Sequence, residues 1–252
     1  MQLRGRRVWL IGASSGIGAQ LTRDLVREGA VLAISARRLD MLEQVADAAA
    51  REGQRPLVLP LDVTDGDAVA RVRGELAAAW EHIDVLIYNS GVWLEVPVEA
   101  FDADKVAQQV DVNLTGMMRA VAAVLPNMVA RRQGDIVGMA SLAGYRGYRR
   151  AIAYSASKAG AIAFLQALRL QLEPYNVGVT MLNPGFIKSP LYDNLHVSMT
   201  FTTNIESASR NIVAGLLRGE KEIHFPKRLS WTMKLLRPLP TPIYEAIARR
   251  FM

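Results

Sequence analysis

Short apolar runs alternate with longer segments of helical period along this chain. Runs of strand length lie at 7–11, 31–35, 56–61, 84–88, 135–140, 177–182 and 221–225. Between them, apolar spacing predicts helices near 16–28, 38–52, 66–81, 104–131, 152–173 and 206–218. Val31-Leu32-Ala33-Ile34 and Asp84-Val85-Leu86-Ile87 carry continuous apolar stretches, which suit strands covered on both faces, as a parallel sheet requires. Strand–helix–strand units with right-handed crossovers predict a doubly wound α/β fold, a parallel seven-stranded sheet with helices on both faces. The 252 residues read as one domain, 226–252 being a basic amphipathic extension of it.

Composition narrows the chemistry. With no cysteine, disulfides, thiolate zinc sites, iron–sulfur ligation and cysteine nucleophiles are excluded. Three histidines, at 82, 196 and 224, form no metal-ligand spacing, so no metal is expected. No apolar run approaches the ~18 residues of a membrane span. The basic start followed by Val8-Trp9-Leu10-Ile11 mimics a signal peptide, but four apolar residues before Gly12 read as a strand. The net charge is +6, from 30 Lys+Arg against 24 Asp+Glu. The segment 226–252 holds Lys227, Arg228, Lys234, Arg237, Arg249 and Arg250 against Glu245 alone, hence +5 of that total. No recognition motif or stacking platform points to nucleic acid.

The first strand ends in Gly12-Ala13-Ser14-Ser15-Gly16-Ile17-Gly18 and runs straight into a helix. Glycines there allow a tight turn and close backbone approach, while the helix N-terminus offers free N–H groups to phosphate oxygens. The same residues match the G-x-S-x-G nucleophile elbow through Ser14. Eleven residues before Gly12 are too few for the strands and oxyanion loop that a hydrolase places ahead of it. At the end of the second strand, where a carboxylate would hold a ribose 2′-hydroxyl, stand Arg37 and Arg38. Two guanidinium forks suit a 2′-phosphate, so NADP(H) is expected over NAD(H).

Tyr154 and Lys158 sit four apart in a helical segment and share a face. A nearby ammonium favours the phenolate of a tyrosine whose ordinary pKa is ~10. Ser141 ends the fifth apolar run, at the edge where parallel sheets bind ligands.

With these motifs the chain resembles the short-chain dehydrogenase/reductase family over residues 5–225. Gly12, Gly16 and Gly18, Asp62, Asn89-Ser90-Gly91, Asn113, Ser141, Tyr154, Lys158 and Pro184-Gly185 follow the family's order and spacing. The resemblance implies strand order 3-2-1-4-5-6-7 and hydride transfer between a nicotinamide and a carbonyl or alcohol carbon. It makes Tyr154 the general acid/base and Lys158 the group that lowers its pKa and binds the nicotinamide ribose. Ser141 would hold the substrate oxygen, and Asn113 would maintain a water-linked proton relay. Cofactor contacts are implied for Gly12, Ser14, Ser15, Gly16, Ile17, Gly18, Arg37, Arg38, Asp62, Val63, Asn89, Gly91, Tyr154, Lys158, Pro184, Gly185, Ile187 and Ser189. Departures are Ile11 for the usual Thr, Tyr88 and Ser90 in the segment usually Asn-Asn-Ala-Gly, and Ser189 for Thr. None removes a catalytic group.

The stretch 186–209, with Leu191, Tyr192, Leu195, Met199 and Phe201, is where the family covers its substrate. With Trp93, Leu94, Tyr145 and Tyr148 it predicts a lipophilic pocket, near which Arg146, Arg149 and Arg150 could meet an anion or solvent. The extension, interrupted by Pro238, Pro240 and Pro242, is expected to form two short helices that pack on this domain, on a neighbouring subunit or on a membrane surface. The helices 104–131 and 152–173 are the family's usual subunit interface, so a homodimer or homotetramer is expected. The reading is a cytoplasmic NADP(H)-dependent oxidoreductase, peripheral contact with a membrane being open. An NADP(H)-sensing regulatory protein on the same fold is the alternative.

Overall fold

A computed structural model describes residues 1–188 and 202–251. The expected Ser189, Leu191, Tyr192, Leu195, Met199 and Phe201 lie outside the described residues, as does His196. The chain runs β1 (Arg7–Ile11), α1 (Gly16–Arg27), β2 (Val31–Ser35), α2 (Leu39–Ala49), β3 (Leu57–Val58), α3 (Gly66–Ala79) and β4 (Val85–Tyr88). It continues through α4 (Ala103–Val110), α5 (Gly116–Arg131), β5 (Gly134–Met139), α6 (Ile152–Leu172) and β6 (Val177–Pro184). Two short strands, β7 (Ile187–Lys188) and β8 (Thr203–Asn204), precede α7 (Ile205–Leu217), β9 (Glu222–Phe225), α8 (Lys227–Leu236) and α9 (Thr241–Phe251).

The main sheet has seven parallel strands in the order β3-β2-β1-β4-β5-β6-β9. This is the expected order, β9 being its seventh strand because β7 and β8 pair only with each other. Alternation along β1 divides the core. Trp9 and Ile11 face a cluster with Val72, Leu76, Met117 and Val121, whereas Val8 and Leu10 face Leu21, Leu25 and Ile212 on the other side. Ile11 pairs with Ser35 on β2 and with Tyr88 on β4, and Met139 pairs with Leu182 on β6. The strands therefore end along one edge, and the loops that follow them open on that edge together.

Three details differ from the sequence pattern. The run 56–61 keeps only two paired residues, Leu57 and Val58. Pro56 and Pro60 contribute no N–H to the ladder, although Leu59 and Leu61 still donate to Ile34 and Ala36. The helix expected over 104–131 is interrupted by a π turn at Asp111–Thr115. Such turns recur at functional sites, and this one contains Asn113. The extension forms two helices, and its apolar stripe divides between two environments. Ser230, Met233 and Tyr244 are buried in the domain, whereas Trp231, Leu235 and Ile243 are 58%, 74% and 51% exposed.

Candidate active site

Along the carboxyl edge of the sheet runs a cleft of about 450 Å³. One end is built by the glycine turn. Gly12 has φ +90° and stands so close to β4 that a Cβ would lie 2.5 Å from the Ser90 nitrogen. Gly18 lies beneath the turn and does not line the cleft: a Cβ there would meet the Gly12 carbonyl oxygen at 2.0 Å. The lack of a Cβ there allows close packing of α1 on β1. Asn89 Nδ2 donates to the same Gly12 oxygen at 2.7 Å and so ties the end of β4 to the turn.

Ser15 precedes α1 with extended backbone and makes no side-chain cap, and no acidic residue occupies the first turn. The orphan N–H groups and the positive end of the helix are thereby left for an anion in the cleft. Ser14, Ser15, Gly16 and Ile17 all line it. Arg38 Nη2 donates to Ser14 Oγ at 3.2 Å and Ser15 Oγ at 3.3 Å, and Arg37 lines the same end. Asp62 Oδ1 accepts from Thr64 N and Oγ1 at 3.0 and 2.8 Å, which fixes the carboxylate beside Leu61 and Val63 in the wall. Among the described residues no histidine lines the cleft, so the elbow motif finds no Ser–His pair there.

Tyr154, Lys158, Gly91, Pro184 and Ile187 line the other end. Lys158 Nζ donates to the Met139 carbonyl at 2.8 Å and lies 5.7 Å from the centre of the Tyr154 ring. Burial pushes its pKa down to about 7. Tyr154 also lines a second, smaller pocket with Trp93, Ser141, Leu142, Tyr148, Gly185, Phe186 and Leu229. Gly185 and Ser141 belong to that pocket rather than to the large cleft. Ser141 Oγ accepts from Ala143 N at 3.1 Å and donates to the Pro184 carbonyl at 3.3 Å, which holds the hydroxyl at the end of β5.

Asn113 is fully buried and lines neither cavity. Its Nδ2 donates to the Val92 oxygen at 2.9 Å and to Ser157 Oγ at 3.0 Å, and its Oδ1 accepts from Val92 N at 2.8 Å. The carboxamide thus joins the loop after β4 to α6. Sequence reasoning missed one supporting residue, Gln109, and the hydrogen bonds of two that it named, Tyr88 and Tyr145. Gln109 Oε1 accepts from Leu94 N at 3.0 Å in the same loop. Tyr88 donates to the Val112 oxygen at 2.5 Å inside the π turn. Tyr145 donates to Glu222 at 2.5 Å just after Ser141. Nothing in the sequence sets Gln109 apart from its neighbour Gln108. Ser155 and Ser157 are packing residues, and both are buried. Arg146 donates to the Leu239 carbonyl and Arg150 faces Glu95 at 3.9 Å, so neither is simply set out to meet an anion.

Comparison with known proteins agrees with this geometry. The family described as short chain dehydrogenase matches residues 6–199. An uncharacterized oxidoreductase of Myxococcus xanthus is 36% identical over 245 residues, covering 97% of both chains. A 2-dehydro-3-deoxy-L-rhamnonate dehydrogenase (NAD(+)) of Sphingomonas is 35% identical over 192 residues, 76% of each chain. Among solved structures, a short chain dehydrogenase from Burkholderia cenocepacia in complex with NADP superimposes with a TM-score of 0.84 at 24% identity, over 98% of this chain and 99% of that one. The chain therefore belongs to the short chain dehydrogenase family of oxidoreductases.

Proposed function

We propose that this oxidoreductase is an NADP(H)-dependent reductase of lipophilic ketones or aldehydes, working reversibly on the corresponding alcohols. The observation that carries the reading is the position of Tyr154 in the wall shared by the large cleft and the pocket of Ser141. A proton donor there reaches a carbonyl oxygen in the small pocket while the carbonyl carbon faces the cleft. The residues fit a dinucleotide: unsatisfied N–H groups at the start of α1, a turn that needs glycine at 12, and paired arginines at one end. When bound, NADPH supplies the hydride.

The remaining work falls to this chain's own side chains. Ser141 Oγ orients the carbonyl oxygen toward the Tyr154 hydroxyl. Tyr154 gives its proton to that oxygen as the alkoxide develops, and takes it back in the oxidative direction. Lys158, once charged, stabilises the phenolate left behind. Asn113 and Ser157 hold Tyr154's helix and the loop of Trp93 together as a positioning pair. The pocket walls are Trp93, Leu142, Tyr148, Phe186 and Leu229, with Ser141 and Tyr154 supplying its side-chain hydroxyls alongside Tyr148, which favours an apolar substituent on the carbonyl carbon. Arg37 and Arg38 support NADP(H), against the NAD(+) named for the Sphingomonas relative.

Replacing Tyr154 by Phe tests the assignment. Turnover of NADPH with a panel of carbonyl compounds should fall at least ~100-fold, the scale of a lost general acid, with NADPH affinity retained. Substantial residual turnover overturns the role of Tyr154. A wild-type protein that binds NADPH yet reduces nothing in the panel supports the regulatory alternative.

The exposed apolar residues Trp231, Leu235 and Ile243 lie among Arg228, Arg237 and Arg249, and support peripheral contact with an anionic membrane on its cytoplasmic side. Flotation with phosphatidylserine vesicles tests this, and absence of binding retires it. Met118 on α5 and Ile152 and Leu170 on α6 are also exposed, which supports assembly through those helices; light scattering should give the mass of a dimer or tetramer.

A further inference from the structure

The loop 141–150 leads from Ser141 to the helix of Tyr154, and four consecutive residues of it are held by the last two helices and β9. Tyr145 donates to Glu222 Oε1 at 2.5 Å, and Lys234 of α8 donates to Glu222 Oε2 at 2.9 Å. Asn183 Nδ2 adds bonds of 2.8 Å to Glu222 and 3.2 Å to Tyr145. The Arg237 guanidinium lies 5.3 Å from the centre of the Tyr145 ring. Arg146 donates to the Leu239 carbonyl and lies 5.1 Å from the centre of the Tyr244 ring. Tyr244 of α9 donates to the Gly147 carbonyl at 2.8 Å. Tyr148 reaches Met233 Sδ at 3.0 Å. The same helix α8 supplies Leu229, whose Cδ2 would lie 2.9 Å from a Cβ on Gly185 and which closes the pocket of Ser141 and Tyr154.

We propose that the C-terminal helices are a working part of the catalytic site: they set the conformation of the loop bearing Ser141, and Lys234 is the positioning residue at the centre of that clamp. The physical case rests on how many independent restraints converge on one short segment. A 3₁₀ turn at Leu142–Gly144 closes the first half of the loop through Gly144 N to Ser141 O and Tyr145 N to Leu142 O, and the side chains that follow reach out to neighbouring elements. The contacts fall on Tyr145, Arg146, Gly147 and Tyr148 in turn; α8, α9 and the turn between them hold the last three, and α8 reaches Tyr145 through Lys234, which shares Glu222 with it. Burial would raise Glu222, but the hydrogen bonds from Tyr145, Lys234 and Asn183 outweigh it and hold the carboxyl at about 2. The anionic hub therefore stays charged throughout the neutral range. Loss of Lys234 leaves a half-buried carboxylate without its cation, and Tyr145 loses the partner orientation that Lys234 imposes.

This inference rests on the proposed roles of Ser141 and Tyr154, and its test separates the two. Lys234→Met and Lys234→Arg would be compared with the wild type by amide hydrogen exchange and by steady-state kinetics. In Lys234→Met, exchange across 141–150 should accelerate while residues 12–38 remain as protected as before. The value of kcat should fall about tenfold, or ~1.4 kcal/mol, with the NADPH dissociation constant unchanged, and Lys234→Arg should recover most of the loss. A generally loosened fold would instead raise exchange everywhere and weaken NADPH as well, which overturns the proposal. Unchanged exchange at 141–150 also overturns it. If Lys234→Met fails to fold, Tyr244→Phe removes the hydroxyl that holds Gly147 and must show the same local exchange. Should the wild type reduce no carbonyl, the functional reading fails, while the exchange data still decide whether the clamp exists.

Discussion

Trp93 lies flat against Tyr154, their ring centres 4.9 Å apart and their planes 11° from parallel. The indole backs the phenol whose hydroxyl is assigned the proton transfer, and both rings line the small pocket. Stacked aromatic pairs are worth about 0.5–1.5 kcal/mol beyond the area they bury. Trp93→Ala should therefore lower kcat about 2- to 10-fold by freeing the phenol. Trp93→Phe should retain most of the rate. Stopped-flow measurement of NADPH oxidation checks this, and an unchanged rate in Trp93→Ala refutes the packing role.

The two arginines at the end of β2 should separate by experiment. Arg38 bonds to Ser14 and Ser15 of the glycine turn, whereas Arg37 lines the cleft without a bond to that turn among those described. Arg37→Ala should weaken NADPH about 10- to 100-fold, the worth of one or two charge-assisted hydrogen bonds, and leave NADH as it was. Arg38→Ala should weaken both cofactors, because it also loosens the phosphate turn. Titration of tryptophan fluorescence with each nucleotide reads both constants. Equal loss of NADH and NADPH in Arg37→Ala would remove the argument for a 2′-phosphate site.

Burial holds Lys158 at about 7, against 10.5 for a solvated lysine. At pH 8 most of the free enzyme therefore carries it uncharged. Bringing phosphates and the ribose of NADPH into the cleft favours the ammonium, so binding at pH 8–9 should take up close to one proton. Calorimetry in two buffers of different ionisation enthalpy measures that uptake. It should vanish below about pH 6, where the free lysine is already charged, and in Lys158→Met at every pH. The linkage sign for the free protein follows from the same shift. The unfolded chain binds this proton between about 7 and 10.5 and the folded chain does not, so Lys158's penalty is full below that window and fades as pH rises through it. Relative to Lys158→Met, wild-type stability should rise between pH 7 and pH 9.

Much of this site was legible because its residues occur where regular structure ends. Gly12, Arg37, Asp62, Asn89 and Ser141 follow successive strands, and a parallel sheet brings all strand ends to one edge. Gly185, expected beside the cofactor, lines the second pocket with Leu229 of α8, a neighbour that no local spacing encodes. The π turn at Asp111–Thr115 was hidden because its apolar period barely departs from that of an α-helix over five residues. The extension's charge was plain in the sequence, but its long-range bonds were not. Lys234 pairs with Glu222 twelve residues away, and Arg146 with a carbonyl 93 residues on.

Tyr88 is one of the departures from the family pattern, and its surroundings explain how the chain accommodates a phenol there. The ring is fully buried, and its hydroxyl donates to Val112 within the turn that carries Asn113. A Cβ on Gly116 would lie 2.6 Å from that hydroxyl and 3.0 Å from Val63 Cγ2. Tyr88 and Gly116 are therefore mutually dependent: the phenol fits because position 116 has no side chain. Gly116→Ala alone should destabilise by about 1–3 kcal/mol through overpacking. Tyr88→Phe alone should cost about 1 kcal/mol for the lost hydrogen bond. Removing the hydroxyl also removes the closest atom to the new methyl group, so the double variant should be less destabilised than the sum of the two. Urea unfolding of the four proteins measures the coupling, expected at about 0.5 kcal/mol or more in the favourable direction. Additivity within ~0.3 kcal/mol would mean that Val63 alone sets the space at Gly116.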